Sequence, residues 1–145
     1  MAKDFTTTFL VDQSPNTVFK AVTNVRGWWQ GLYEEEIIGK TQNLYDEFTF
    51  RAGGGAHYSK QKLLEVVPDK KVVWLVTDGE LSFVDKKDEW KGTKIIFDIS
   101  TQGNKTKVQF THEGLNPQIE CYDSCSSAWQ MYLDQKLLPL IKSSK

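Results

Sequence analysis

The chain has 145 residues, 26% of them charged, and a formal net charge of −1. That length suits one domain with a full core, and the near-neutral balance excludes a general nucleic-acid or anionic-membrane binder, which needs a basic face. Met1 to Thr8 holds no apolar run fit for a signal peptide and no later segment reaches transmembrane length, so the expectation is a cytoplasmic protein with no membrane insertion.

Phe5, Thr7, Phe9 and Val11 alternate with Thr6, Thr8 and Leu10, a strand pattern strengthened by β-branching. Ser14 and Pro15 open a short helix through about Val22, with Val18, Phe19 and Val22 as its buried side. A second short helix is expected over Asn24 to Gln30, closing one end of a sheet. It carries Trp28 and Trp29, of which one should enter the core and the other sit at a rim, because neighbours on a regular element point apart.

A mixed strand runs from Glu34 to Gln42, followed by a turn at Gln42-Asn43. Asp46 to Arg51 alternates cleanly, with Phe48 and Phe50 inward. Gly53-Gly54-Gly55 reads as a hairpin connection, since no Gly-Lys-Ser/Thr follows and strands lie on both sides of it. The strand from Ala56 to Val67 alternates poorly, so it carries a bulge or has a partly polar inner face. Lys71 to Asp78 is apolar on both sides, with Val72, Trp74 and Val76 on one of them, and reads as central in the sheet. Asp78-Gly79 should turn the chain. Leu81, Phe83 and Trp90 are set among the charge run Asp85 to Glu89, a solvated loop or hairpin tip. Two more strands follow, Gly92 to Ser100 and Lys105 to His112, joined by the turn Gln102-Gly103-Asn104. Val108, Phe110 and His112 share one face of the second.

From Asn116 to about Ile141, Ile119, Tyr122, Ser126, Trp129, Leu133, Leu137 and Leu140 recur at spacings of three and four, one face of a long helix. Asn116 is a suitable N-cap, Pro117 suits the first helical position, and Pro139 should end or bend the helix near Leu138. Small residues fill Ser124 to Ala128. They permit either close packing on a sheet or a cavity beneath the helix. Cys121 and Cys125, four apart on that helix, lack disulfide geometry and read as free thiols. No Cys-x-x-Cys or His-x-x-x-His pair supports a metal site, and no cofactor is expected. Eight Phe, five Trp and five Tyr form a heavy aromatic load whose plainest use is the core.

One strand, two short helices, about six strands in hairpin succession and a long C-terminal helix make an α+β fold, the helices gathered on one side of a curved antiparallel sheet. That order resembles the START-like, or helix-grip, fold. The residues are more specifically similar to a bacterial family related to the activator of the heat-shock protein 90 ATPase. The likeness rests on Phe5 to Asp12, Ser14-Pro15 with Val18, Phe19 and Ala21, Trp28-Trp29, and Gly39 before the Asp46–Phe50 strand. It continues through Val66-Val67-Pro68 with Val72-Val73-Trp74, Gly92-Thr93, and Thr111 to Leu115. It spans the chain as a single START-like domain, residues 1–145.

The resemblance implies an apolar cavity between the concave face of the sheet and the C-terminal helix. Strand parity nominates Phe48, Phe50, Trp74, Phe110 and His112 for its wall, with His57 second to His112 as a titratable group. The helix nominates Tyr122, Cys125 and Trp129, and Trp28 or Trp29 would guard the mouth. Three functions fit this scaffold. The first is binding of a small hydrophobic, aromatic or lipid-like ligand. The second is a cyclase or dehydratase using His112 as acid/base. The third is a chaperone-associated interaction domain with a chaperone partner, which predicts a solid core and an outer apolar patch, with Trp28 and Trp90 as candidates for it. No Ser-His-Asp, Cys-His or nucleophile-elbow pattern occurs, which weighs against catalysis.

Overall fold

A computed structural model describes residues 4–82 and 87–143. Phe83, Asp85 and Lys86 of the expected charged loop lie outside the described residues. Seven antiparallel strands run in the order β1-β7-β6-β5-β4-β3-β2. They are β1 Phe5–Val11, β2 Glu36–Gly39, β3 Glu47–Ala52, β4 His57–Val67, β5 Lys71–Leu81, β6 Lys94–Gln102 and β7 Lys105–Glu113. Apart from the closing pair of β1 with β7, every neighbour in the sheet is a neighbour in sequence. Helix α1, Pro15–Thr23, follows β1, with Ser14 Oγ accepting from the Thr17 N–H as its cap.

Register explains the inner face. Trp74 lies opposite Ile95, Ile95 opposite His112, and His112 opposite Phe5, so one row of inward side chains crosses four strands. A second row runs Ile37, Phe50, Ser59 and Gly79. It ends on two small residues, and the sheet is therefore thin there. The poorly alternating β4 resolves both ways: its pairing shifts between Lys60 and Gln61 and again between Leu63 and Glu65, and buried Ser59 and Gln61 make its inner face partly polar. Bulges of this kind bend a strand and increase its twist.

Asp78-Gly79 does not turn the chain. β5 continues to Leu81 and pairs with His57 of β4, because Gly79 is an inner-face strand position whose missing side chain admits Trp90. A Cβ there would stand 3.3 Å from Trp90 Cβ. The second short helix is a single 3-10 turn, Val25–Gly27. Both tryptophans after it are buried, and their rings stack at 5.9 Å and 10°. Trp28 leaves regular geometry at φ −137°, ψ −26°, so the alternation of neighbours no longer applies. Its indole N–H is satisfied by the Val22 carbonyl at 3.0 Å.

The C-terminal helix starts later than its cap residues imply. Asn116 Oδ1 accepts from the Gln118 N–H in a local turn, and helix α2 spans Tyr122–Tyr132. It passes through a π turn, Leu133–Leu137, into α3, Leu138–Ser143. Pro139 neither ends nor breaks the rod. The widened turn just before it, where Leu138 N–H reaches back to the Leu133 carbonyl, replaces the ordinary ladder that proline would disrupt. The buried stripe is Cys121, Cys125, Trp129, Leu133, Leu137 and Ile141, while Tyr122, Ser126 and Leu140 are only partly buried. Spacing by four drifts about 40° per step around an α-helix, and the π turn offsets part of that drift.

Candidate ligand-binding cavity

A cavity of about 290 Å3 lies between α2 and the thin end of the sheet. Phe50 and Ala52 of β3, His57 at the start of β4, and Trp90 supply its sheet side. Cys125, Ala128, Trp129 and Tyr132 of α2 roof it, and Trp29 and Tyr33 close its flank. Small residues line it on both sides, Ala52, Gly53 and Ala56 towards the sheet and Ser124 and Ala128 on the roof, and they leave the space between the rings open. Trp29 stacks on Phe50 at 4.2 Å and Trp90 lies parallel to Trp129 at 5.9 Å, so the walls are largely ring surface.

Of the residues nominated from sequence, Trp29, Phe50, His57, Cys125 and Trp129 meet at this cavity. Phe48, Trp74, Phe110, His112 and Trp28 are buried in the core and are not part of its lining. Tyr122 lines a shallow outer hollow near Pro117 instead. Trp28 guards no mouth, since Trp29 stands between it and the space. Tyr33, Ala52, Trp90 and Tyr132 were not nominated. The signal for Trp90 was Gly79, a glycine inside a strand, which marks close approach by another group.

His112 has no capacity left for substrate. Trp129 Nε1–H donates to its Nδ1 at 3.0 Å, so the proton sits on Nε2, which donates to Thr93 Oγ1 at 2.8 Å. Thr93 in turn donates to the Trp90 carbonyl at 2.6 Å. Burial, with a smaller contribution from the nearby His57, pushes the His112 pKa down to about 3. This chain of bonds joins β7, the Trp90 turn and α2, and it orients the two parallel indoles. In the alternative in which His112 serves as acid/base, both of its nitrogens are already engaged by Thr93 and Trp129.

His57 is different. Its ring meets Phe50 and Trp90 at right angles, and its Nε2 is shut off from solvent with no hydrogen-bond partner. Burial pushes its pKa down to about 4, so the ring is neutral near pH 7. On the opposite flank Tyr132 Oη donates to Glu35 Oε2, which also accepts from the Leu32 N–H, while Glu35 Oε1 accepts from the Gly31 N–H. Burial raises the Glu35 pKa, but these hydrogen bonds outweigh it and hold the carboxyl below the usual range. Burial and the same bond raise the Tyr132 pKa.

Cys121 and Cys125 are not free thiols: their sulfurs are joined in a disulfide. Cys121 belongs to the turn preceding α2 rather than to the helix, which brings the two Cα atoms to 5.5 Å, inside the span a disulfide bridges. The bond pins that turn to the cavity roof. Among the described residues, no group of three or more His, Cys, Asp or Glu could hold a metal ion.

A sequence model of the family described as "Activator of Hsp90 ATPase homolog 1-like protein" matches residues 12–138. The chain belongs to this family. Among solved structures it is similar to the Aha1 dimer from Colwellia psychrerythraea, at 24% identity over 92% of each chain with a TM-score of 0.70. It is also similar to protein CV1439 from Chromobacterium violaceum, at 15% identity over 94% of this chain and 95% of that one, TM-score 0.70. A third likeness is CalU16 from Micromonospora echinospora, at 17% identity over 97% and 76%, TM-score 0.64. No curated protein matches the chain. At these identities the structural likenesses establish the helix-grip fold and leave ligand and partners to the chemistry of the site. No described helix of this family member is long and apolar enough to cross a membrane.

Proposed function

We propose that this protein binds a small hydrophobic, aromatic molecule in the cavity between α2 and the sheet. The observation that carries the reading is a ring-walled space of about 290 Å3 left unfilled in an otherwise packed core. The volume stands at the lower end of the range for small-molecule sites and equals roughly ten water molecules, so it suits one bicyclic ring system rather than a long acyl chain. Catalysis has little support here, since His112 is fully bonded and the cavity lining offers no paired acid and base. The chaperone reading predicts a solid core, which the cavity does not fit, and its candidate surface residues Trp28 and Trp90 are buried.

Titration with naphthalene, followed by quenching of tryptophan emission, tests the proposal, since Trp29, Trp90 and Trp129 all face the space. Saturable quenching is expected in the wild type and its loss in Ala128→Phe, which fills the roof. Equal binding by a folded Ala128→Phe variant would place the site elsewhere. Native mass spectrometry of freshly purified protein is the complementary measurement, reporting any molecule carried through purification.

A further inference from the structure

We infer that the cavity selects an uncharged aromatic bearing a hydrogen-bond donor, a phenol or aryl amine, and rejects carboxylates such as fatty-acid anions. This rests on the cavity reading above and specifies the ligand chemistry of that site.

Three observations lead to it. First, no Lys or Arg occurs among the described residues that line the space, so nothing there neutralises a buried anion. Second, the charged group bonded to the lining is a carboxylate, while the Lys136 ammonium lies against Gly31 and outside the lining. Glu35 is held ionised by hydrogen bonds, one of them from Tyr132, whose hydroxyl proton is thereby directed away from the cavity. The Tyr132 oxygen is left to accept, and Tyr33 behaves alike, since its hydroxyl is directed to Met131 Sδ at 3.5 Å. Third, His57 meets Trp90 perpendicularly at 4.4 Å, and the partnerless, sealed nitrogen is Nε2. A proton on Nε2 has an aromatic face to point at. That leaves the lone pair on Nδ1 as the acceptor of a ring that lines the cavity. The lining thus holds acceptors on Tyr132 and His57 together with one partnerless buried donor, Trp90 Nε1–H, and a ligand hydroxyl or amine, which can both donate and accept, serves both kinds.

The test holds the ring body constant and varies one substituent. At pH 7.5, 2-naphthol, 2-naphthylamine, 2-methoxynaphthalene and 2-naphthoate are titrated against the wild type and Tyr132→Phe. Naphthol and naphthylamine should bind about three- to tenfold tighter than the methoxy compound, the worth of one net hydrogen bond. Naphthoate should bind weakest. Tyr132→Phe, checked for folding by circular dichroism, should narrow the naphthol-to-methoxy ratio. Equal affinity for naphthol and its methyl ether, or tightest binding of naphthoate, overturns this inference while leaving the cavity reading intact. Binding of none of the four overturns both.

Discussion

Trp129 joins the core to the cavity, so its replacement measures both. Its ring is buried against Trp29 at 4.9 Å and Phe110 at 4.8 Å, and its N–H is the partner of His112 Nδ1. Trp129→Phe keeps most of the apolar surface but removes the N–H, leaving a fully buried imidazole nitrogen without a donor. An orphaned buried acceptor costs about 1–3 kcal/mol, and a modest volume loss adds to it. Trp129→Ala loses the whole ring, about 3–5 kcal/mol for such truncations, with the orphaned acceptor on top. The cost of the new void is reduced on the side that already faces open space. Stabilities are to be read from urea denaturation followed by far-ultraviolet circular dichroism, because the mutation itself changes fluorescence. Comparable m-values would show that unfolding exposes similar surface. The expected order is wild type, Trp129→Phe, Trp129→Ala. A Trp129→Phe variant within about 0.5 kcal/mol of wild type, below the orphaning cost, would refute the His112 bond and the tautomer assigned from it.

Stability should fall on mild acidification. His57 and His112 have folded pKa values of about 4 and about 3 against 6.5. The unfolded chain therefore binds more protons below pH 6.5, and stability present above that value is lost as pH falls toward 4, by up to about 3 kcal/mol per residue. A urea midpoint constant from pH 7 to pH 4.5 would contradict this. Gly39→Ala should be costly, by roughly 2 kcal/mol or more, because φ is +126° and a Cβ would run into the Glu47 carbonyl. Gly54→Ala, at φ +69° with open space around it, should cost only about 1 kcal/mol by thermal denaturation. Titration of the denatured, unreduced protein with a thiol reagent should find no free cysteine, and two after reduction. Closing so short a loop contributes about 2 kcal/mol, so the reduced protein should remain folded. Two thiols before reduction would restore the reading made from spacing alone.

The architecture was legible because it follows from local periodicity. Alternation in Phe5–Val11, Phe48–Phe50 and Val108–His112 names inward faces, and the register of the sheet places those faces together. The site was legible only in part. Phe50 and Trp129 were found through parity, but the same parity also pointed to Phe48, Trp74 and Phe110. These face the same way and meet side chains rather than space. Which inward positions border a cavity depends on what stands opposite, and that partner is distant in sequence.

Hydrophobic pattern and turn residues thus determine the succession of strands, the long helix and a rich store of inward rings, since each acts over a few neighbouring residues. Tertiary structure alone decides that Gly79 makes room for Trp90, that His112 spends both nitrogens on Thr93 and Trp129, and that Cys121 comes within reach of Cys125. Each of these depends on backbone departures from ideal geometry or on contacts between separate elements. A void arises where several small residues, remote along the chain, happen to face one another.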